Sequence, residues 1–176
     1  IIAKWTKSDK EAQQEAVKRL GLGADNTAAD RAKAMGYDTK AYHGTNQSFD
    51  GFDLTAGGQT NIDGNIGVFS SDSPNVASQF SHWAKAKKNG GSEGAGQVYP
   101  LKIRRGNSWH VDDYDDIENL TRRHTDTHTV DTDAIRKEVF NKNADSITLK
   151  NTMVDAPTDT PIDQYISLKT SDIRSP

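Results

Sequence analysis

The segment from Tyr42 to Phe80 constrains the fold and chemistry of this chain more than any other stretch. It opens with a Tyr-His-Gly-Thr run at 42–45 that ends a short predicted strand, and a glycine-rich span at 56–67 follows. A second predicted strand covers 66–70. Ser73-Pro74 then begins a helix, because serine caps helices and proline favours their first position. The segment therefore predicts two strand ends and a helix start around one slot.

The side chains of this slot are suited to a flat ring. His43 offers an imidazole, and Gly44 has no side chain, so a planar carboxamide can approach its backbone amide and carbonyl. Phe69 and Phe80 stand on the second strand and on the helix, where they can sandwich a planar ring. Phe80 also lies on an apolar helical stripe with Val76, so a core position is the alternative. The pattern is typical of a site for nicotinamide.

Three motifs of this chain occur in an order and spacing found in a known family. They are the run at 42–45, the segment 67–80 and the closing segment 163–168. Together they resemble the core motifs of ADP-ribosyltransferases of the diphtheria-toxin and poly(ADP-ribose) polymerase branch. Short motifs at 26–32, 35–37 and 173–175 are similar to those of transferase domains in phage and mobile-element polyvalent proteins. The resemblance covers most of the chain from Asn26 onward and is weakest in 104–145.

The resemblance implies an α+β fold, an ADP-ribosyltransferase-like split antiparallel β-sheet core with short N-terminal helices. It implies one domain over 1–176, with a helical segment at 1–36 and a catalytic core at 37–176. Because the chain begins with Ile rather than Met, we expect the domain to be cut from a longer polypeptide. These boundaries are expectations to be compared with the structure.

Capping patterns predict the two helices that precede the slot. Ser8 and Glu11 form a capping-box pattern before a short amphipathic helix that Gly21 ends. Thr27 caps a second helix that Gly36 stops. Both helices depend on local sequence alone, so we expect their boundaries to be well defined.

The second half of the chain alternates strands with one helix. In the helix over 132–141 we expect Ile135, Val139 and Phe140 to point inward. The segment 109–128, rich in Asp, Arg, Thr and His, is interpreted as a variable surface insert. Its His124 and His128 have a spacing that binds metal on a helix, but no third ligand is evident, so we predict no metal site. The predicted strands are 97–104, 144–151 and 163–169.

The resemblance implies a function and a role for each motif residue. The expected activity is NAD-dependent mono-ADP-ribosyl transfer to a macromolecular acceptor, with release of nicotinamide. His43 then bonds the adenosine-side ribose, Gly44 bonds the carboxamide, and Phe69 and Phe80 stack on nicotinamide. Thr45 is a further candidate for a hydrogen bond to the ligand.

Two more residues complete the candidate NAD-binding set. Ser78 lies on the helix that carries Phe80, and Arg31 lies on the helix before the first strand. Arg31 is a candidate for the phosphates of NAD, and the alternative for it is an exposed or ion-paired arginine. NAD is the expected co-substrate, and no metal is expected.

Two positions depart from the family pattern, which makes this chain an H-F-Q variant of the H-Y-E triad. Phe69 replaces a tyrosine, which keeps the stacking ring and loses a hydroxyl. Gln164 replaces a glutamate, so it carries no charge to stabilise an oxocarbenium-like ribose and cannot act as a base. The lost contact is expected to cost about 3 kcal/mol. An anionic acceptor would need no base, and Asp155 or Asp159 can alternatively supply the charge.

Three other functions remain open at this stage. The first is an NAD glycohydrolase, in which water accepts the ADP-ribose. The second is a catalytically silent NAD-binding or interaction module, in which Gln164 is an ordinary strand residue. The third is nucleic-acid binding, which would need a basic face built from 85–88 and from Lys102, Arg104 and Arg105.

Composition limits the classes of partner. The formal net charge of −3 and the absence of cysteine exclude a global basic field, disulfides and a cysteine nucleophile. No apolar run is long enough to span a membrane, so we expect no membrane partner. We expect a monomer in the bacterial cytoplasm, phage-encoded or delivered as an effector or toxin, with no signal peptide in this fragment.

Overall fold

The computed structural model describes residues 9–45, 51–54, 66–88, 96–112, 132–152 and 161–176. This part of the chain contains four helices, a seven-stranded sheet and a short 3-10 turn, so the expected α+β class is confirmed. The helices are α1 Asp9–Leu20, α2 Ala28–Ala34, α3 Pro74–Lys88 and α4 Thr132–Asn141. The strands are β1 Thr39–Thr45, β2 Val68–Ser71, β3 Gln97–Ile103, β4 Ser108–Val111, β5 Ser146–Thr152, β6 Ile162–Ser167 and β7 Ile173–Arg174, with the 3-10 turn at Thr170–Asp172.

Helix α2 begins after Thr27, as predicted, and both N-terminal helices end before the predicted glycines. The predicted cap of α1, Ser8, lies outside the described residues. Thr27 and Asp30 form a reciprocal capping box at the start of α2, each side chain bonding the other's backbone amide. Gly21 and Gly36 follow the two helices with φ angles of 66° and 85°, the left-handed region that glycine adopts at little cost. No helix in the described ranges is long and apolar enough to cross a membrane.

The seven strands form one mixed sheet in the order β4-β5-β6-β2-β1-β3-β7. Only the β4–β5 pair is parallel. In a flat sheet β3 and β4 would be five strand spacings, or about 24 Å, apart. The connection between Ile103 and Ser108 spans at most about 18 Å when fully extended. The sheet must therefore curl, which brings β3 and β4 closer together than a flat sheet allows.

Two apolar clusters pack against opposite faces of the sheet. Ile166, on one face of β6, joins a cluster that α4 covers with Ile135 and Val139. Tyr165, the next residue, points to the other face and joins the second cluster, which includes Leu101 of β3. We call the first side the helix face and the second the inner face. The alternation along β6 assigns each motif residue of this strand to one face.

The inward prediction for Phe140 is wrong. Its side chain is 84% exposed, whereas Ile135 and Val139 are buried against the sheet. Ile135 and Val139 lie four residues apart and share one face of α4, while Phe140 is rotated by about 100° from its neighbour. An apolar residue at the edge of a helical stripe therefore points to solvent here.

The interpretation of 109–128 as a surface insert is wrong for its first residues. Ser108–Val111 forms β4, which pairs in parallel with β5, and Val111 is buried in the helix-face cluster. Four residues are too few to give a clear alternation, which is why the strand was not predicted. The remainder, including His124 and His128, lies outside the described residues.

Candidate functional site

The three motif residues of the triad lie on three strands that are adjacent in the sheet. Gln164 is on β6, Phe69 on β2 and His43 on β1, and the sheet order places β2 between the other two. Ser71 is opposite Gln164 on one side and opposite Tyr42 on the other. Distant parts of the sequence thus meet at one place in the sheet.

Phe69 and Gln164 share the helix face. Phe69 is directly opposite Ile166 in the β2–β6 ladder, and Gln164 is two residues from Ile166 along β6. Such diagonal neighbours are about 7–8 Å apart, within reach of an aromatic ring and a long side chain. Phe69 packs against the helix-face cluster, and Gln164 is buried with 7% exposure.

His43 lies where β1 and β2 separate. The ladder between these strands consists of one pair, Tyr42 with Ser71, although four pairs join β2 to β6. Beyond that pair the His43 ring bridges the gap, with Nδ1 2.7 Å from the Phe69 carbonyl oxygen. Because a carbonyl oxygen only accepts, Nδ1 carries the proton, and Nε2 is the acceptor of the neutral ring.

The environment of His43 favours this neutral ring. Burial lowers the pKa of His43 below its ordinary value, and the bond to the Phe69 carbonyl offsets only part of that effect. The ring of Phe52 packs edge-on against the imidazole, with centroids 5.1 Å apart. Sequence reasoning missed this contact, since no motif links Phe52 to His43.

Gly44 is required by the close approach of α3. A Cβ atom at this position would lie 1.6 Å from the carbonyl oxygen of Ala77, which is part of the α3 backbone. A second close approach joins Gly96, next to β3, to Ser81 of the same helix. These small residues let α3 lie directly on the end of β1 that carries His43. The predicted carboxamide contact of Gly44 stays a prediction beside this packing role.

Helix α3 thereby brings Ser78 and Phe80 near the motif strand. Phe80 is half-buried and belongs to neither apolar cluster, whereas Phe69 packs against the helix-face cluster. The carbonyl of Ser78 accepts a hydrogen bond of 2.6 Å from the hydroxyl of Ser81.

Thr45 is the last residue of β1 and is opposite Gln97. The ring sandwich and the ligand contacts of Ser78 and Thr45 stay predictions.

Arg31 is held within the N-terminal helical segment. Its Nη1 donates to the backbone oxygen of Asn26 at 3.1 Å and to the side-chain oxygen of Asn26 at 2.9 Å. Its Nη2 lies 4.0 Å from a carboxylate oxygen of Asp9. These contacts fit the alternative of an ion-paired arginine that stabilises the turn between α1 and α2.

The acidic residues near Gln164 differ in position. Asp163 points to the inner face, whereas Gln164, the next residue, points to the helix face. The Asp163 carboxylate accepts a hydrogen bond from Lys150. That bond raises the pKa of Lys150 above its ordinary value. Asp155 and Asp159, which were considered as substitutes for the missing glutamate, lie outside the described residues.

Two clefts lined by described residues lie away from the triad. One, of about 590 Å³, is lined by the β3–β4 connection with Asp38 and His110. The other, of about 440 Å³, is lined by residues between Leu22 and Ala34. Neither is lined by a triad residue, and the segments 46–50 and 55–65, which adjoin the motif in sequence, are outside the described part. The site is therefore defined by its strands rather than by a cavity.

Comparison with known proteins assigns this chain to no family. The chain matches no protein-family model, no curated protein and no solved structure. Within the described ranges, no three His, Cys, Asp or Glu residues are grouped so that they could hold a metal ion. Inference about function therefore depends on the motif residues and their surroundings.

Proposed function

We propose that this chain is an NAD-dependent mono-ADP-ribosyltransferase that transfers ADP-ribose from NAD to a macromolecular acceptor. The observation that carries the proposal is the junction of β6, β2 and β1. Gln164 and Phe69 share the helix face there, and the His43 ring, which points to the inner face, bonds the backbone carbonyl of Phe69. All three residues belong to the sequence motifs at 42–45, 67–80 and 163–168. The bond from His43 to the backbone of Phe69, and the face that Phe69 shares with Gln164, support a role for the three residues at one site.

The residues at this junction fit the parts of NAD that such a reaction must hold. The neutral His43 ring, with its Nδ1 proton directed to the Phe69 carbonyl, presents Nε2 as an acceptor for a ribose hydroxyl. The Gln164 amide can bond a second hydroxyl in either direction. Phe69 is packed on an apolar cluster, so its ring is supported as a stacking surface.

The reaction is a substitution at the ribose carbon C1′ of NAD. The bond from C1′ to the nicotinamide nitrogen breaks, and the electron pair leaves with nicotinamide, which becomes neutral. A lone pair of the acceptor forms the new bond to C1′, and the acceptor proton passes to solvent. Hydrogen bonds that strengthen as the ribose becomes cationic lower the barrier.

Gln164 determines which acceptors are suitable. A buried amide supplies no negative charge to the ribose cation and takes no proton from a neutral hydroxyl. An acceptor that is already anionic needs no such base. The buried glutamine therefore favours transfer to a phosphate or carboxylate over polymer formation on ribose hydroxyls.

The test measures release of nicotinamide from NAD by the purified protein, alone and with bacterial lysate, and then attachment of labelled ADP-ribose to macromolecules. We expect His43→Ala to weaken NAD binding, because it removes the ribose contact. We expect Gln164→Ala to reduce turnover more than affinity. Phe140→Ala serves as the control, since that side chain lies on α4 and is exposed to solvent.

The outcomes separate the three activities. Label on protein or nucleic acid supports the transferase, and free ADP-ribose would instead identify a glycohydrolase. NAD binding without nicotinamide release would identify a silent binding module. Gln164→Glu adds a direct measure of the missing charge, with an expected gain in nicotinamide release of up to about a hundredfold. Equal behaviour of His43→Ala and the control would contradict the site.

A further inference from the structure

Three cations form a row across three neighbouring strands on the helix face. Lys40 of β1 is directly opposite Lys102 of β3, and Lys102 is directly opposite Arg174 of β7. We call these three residues the cation row. Lys40 and Arg174 are exposed, and Lys102 is half-buried. Like charges directly opposite one another destabilise a sheet, so this arrangement requires a reason outside the fold.

No acid of the described residues forms an ion pair with the cation row. None of the ion pairs of the described residues includes Lys40, Lys102 or Arg174. The acid nearest along β1, Asp38, accepts a hydrogen bond of 3.2 Å from the Thr39 hydroxyl. The contrast with Arg104 is clear, because that arginine is bonded to the buried carboxylate of Asp172.

The cations at the two ends of the row each make a cation–π contact with a tyrosine ring. The Lys40 ammonium lies 5.3 Å from the centre of the Tyr42 ring, and the Arg174 guanidinium lies 4.7 Å from the centre of the Tyr37 ring. Tyr37 is buried, whereas Tyr42 is half-buried on the same face as the row. A phosphate held by Lys40 would thus have an aromatic ring beside it, on which a base can stack.

The cation row is close to the candidate site. Tyr42 is opposite Ser71, which is opposite Gln164, so these three residues form the next row on the same face. Lys40 is two residues from Tyr42 along β1. Strand geometry therefore separates the Cα atoms of Lys40 and Gln164 by about 12 Å. A chain bound on the row would lie on the face that Gln164 shares with Phe69.

We propose that the cation row, with Tyr42, is a docking surface for single-stranded nucleic acid, which names the acceptor class of the proposed transferase. Unpaired cations in a row match a phosphate backbone, and the adjacent ring matches an unstacked base. Phosphates also meet the need for an acceptor that is already anionic. The role in transfer rests on the proposed function, but the docking itself is tested without NAD.

The binding measurement uses fluorescence anisotropy of a short labelled oligothymidylate titrated with the full chain at several salt concentrations. Three phosphate contacts on a single strand predict a slope of about −2 for log K against log salt. Affinity should then fall about twentyfold between 50 and 200 mM salt. The overall charge of −3 makes a general electrostatic attraction a poor explanation for such binding.

Matched variants separate the cation row from net charge. The triple variant Lys40→Gln, Lys102→Gln, Arg174→Gln should lose binding more than tenfold and lose most of the salt slope. The triple variant Lys10→Gln, Lys18→Gln, Lys137→Gln changes net charge equally at exposed helical positions and should bind as the unchanged chain does. Equal binding by the two triple variants would overturn the proposal.

The ring of Tyr42 makes a different contribution from the charges. Tyr42→Leu should weaken binding by at least about fivefold without changing the salt slope. Tyr42→Phe keeps the aromatic ring and should therefore retain the affinity. Tighter binding of polyglutamate than of the oligonucleotide would overturn the proposal in favour of an acidic protein. Absence of nicotinamide release would refute the proposed transferase and leave the docking result standing, so the two failures are distinguishable.

Discussion

The two sides of strand β2 are built in opposite ways. On one side four residue pairs join β2 to β6, and on the other a single pair joins it to β1. The well-paired side continues through β5 into an apolar cluster covered by α4. The poorly paired side is held by the His43 ring, the edge of Phe52 and the close contact of Gly44 with α3.

This difference shows how the fold can carry a site. Each half of the sheet has its own pairing and apolar cluster, since four pairs join β2 to β6 and seven join β1 to β3. The two halves can therefore separate between β1 and β2 and use side chains to span the opening. The backbone of His43 is paired with Tyr99 of β3, while its side chain is held by one hydrogen bond to β2 and one ring contact. We therefore expect substitutions on the two sides to act through different physical causes.

The largest effect is expected at Gly44, on the poorly paired side. Gly44→Ala places a methyl group against the Ala77 carbonyl, which is backbone and cannot rotate away. We expect the free energy of unfolding to fall by about 4 kcal/mol, measured by urea denaturation. Gly23→Ala is the control, because its added Cβ meets only the flexible side chain of Asp25. Equal, small losses in both variants would show that α3 does not lie where we describe it.

On the well-paired side we expect a cavity rather than a clash. Ile147 has no exposure and is opposite Ile166 in the β5–β6 ladder, so Ile147→Ala should lower the free energy of unfolding by about 3 kcal/mol. Phe140→Ala, which removes an exposed ring of similar apolar character, should change it by less than about 0.5 kcal/mol. A larger loss at Phe140 would place that ring in the core, as its sequence pattern predicted.

The sequence predicts local features well because their causes are local. Thr27 and Asp30 are three residues apart and form the expected capping box, and Gly36 ends α2 as predicted. The orientation of Phe140 was mispredicted, because the spacing of apolar residues along a helix does not show which of them lie at the edge of the buried face. Strand β4 was missed because its partner, Ser146–Thr152, is remote in sequence and its four residues carry little pattern.

The candidate site also has a part that the sequence predicts and a part that depends on long-range contacts. The motif residues His43, Phe69 and Gln164 were identified from sequence, and their presence on adjacent strands depends on long-range pairing. The partner of His43 is a backbone carbonyl, which every residue has and which no motif distinguishes. The contact between the rings of Phe52 and His43 exists only in the folded chain. Specific partners of this kind follow from the fold and not from local pattern.

Acidification should weaken the poorly paired side selectively. In the native state burial lowers the pKa of His43, while in the unfolded chain the imidazole binds its proton near pH 6.5. The unfolded state therefore holds more protons below that pH, and stability falls as the pH decreases from 6.5 toward the lowered value. The slope for one proton is at most about 1.4 kcal/mol per pH unit.

This linkage is measured by urea denaturation at pH 8 and at pH 5.5. His43→Gln removes the titrating group while its amide can still donate to the Phe69 carbonyl, so the difference between the two pH values should shrink. All other titrating groups are common to both proteins and cancel in the comparison. An unchanged pH dependence in His43→Gln would mean that His43 is protonated equally easily in the folded and unfolded chains.

The smallest effect is expected for Asp163, which adjoins Gln164 in sequence but lies on the opposite face of β6. Its ion pair with Lys150 is partly exposed, since the two side chains retain 21% and 37% of their accessible surface. Asp163→Asn should therefore lower the free energy of unfolding by less than about 1 kcal/mol. Alternation along a strand also directs this carboxylate away from the face that Gln164 shares with Phe69, so nicotinamide release should be unaffected. A large fall in release with stability preserved would mean that Asp163 supplies the negative charge that Gln164 lacks, and that both faces of β6 take part in the chemistry.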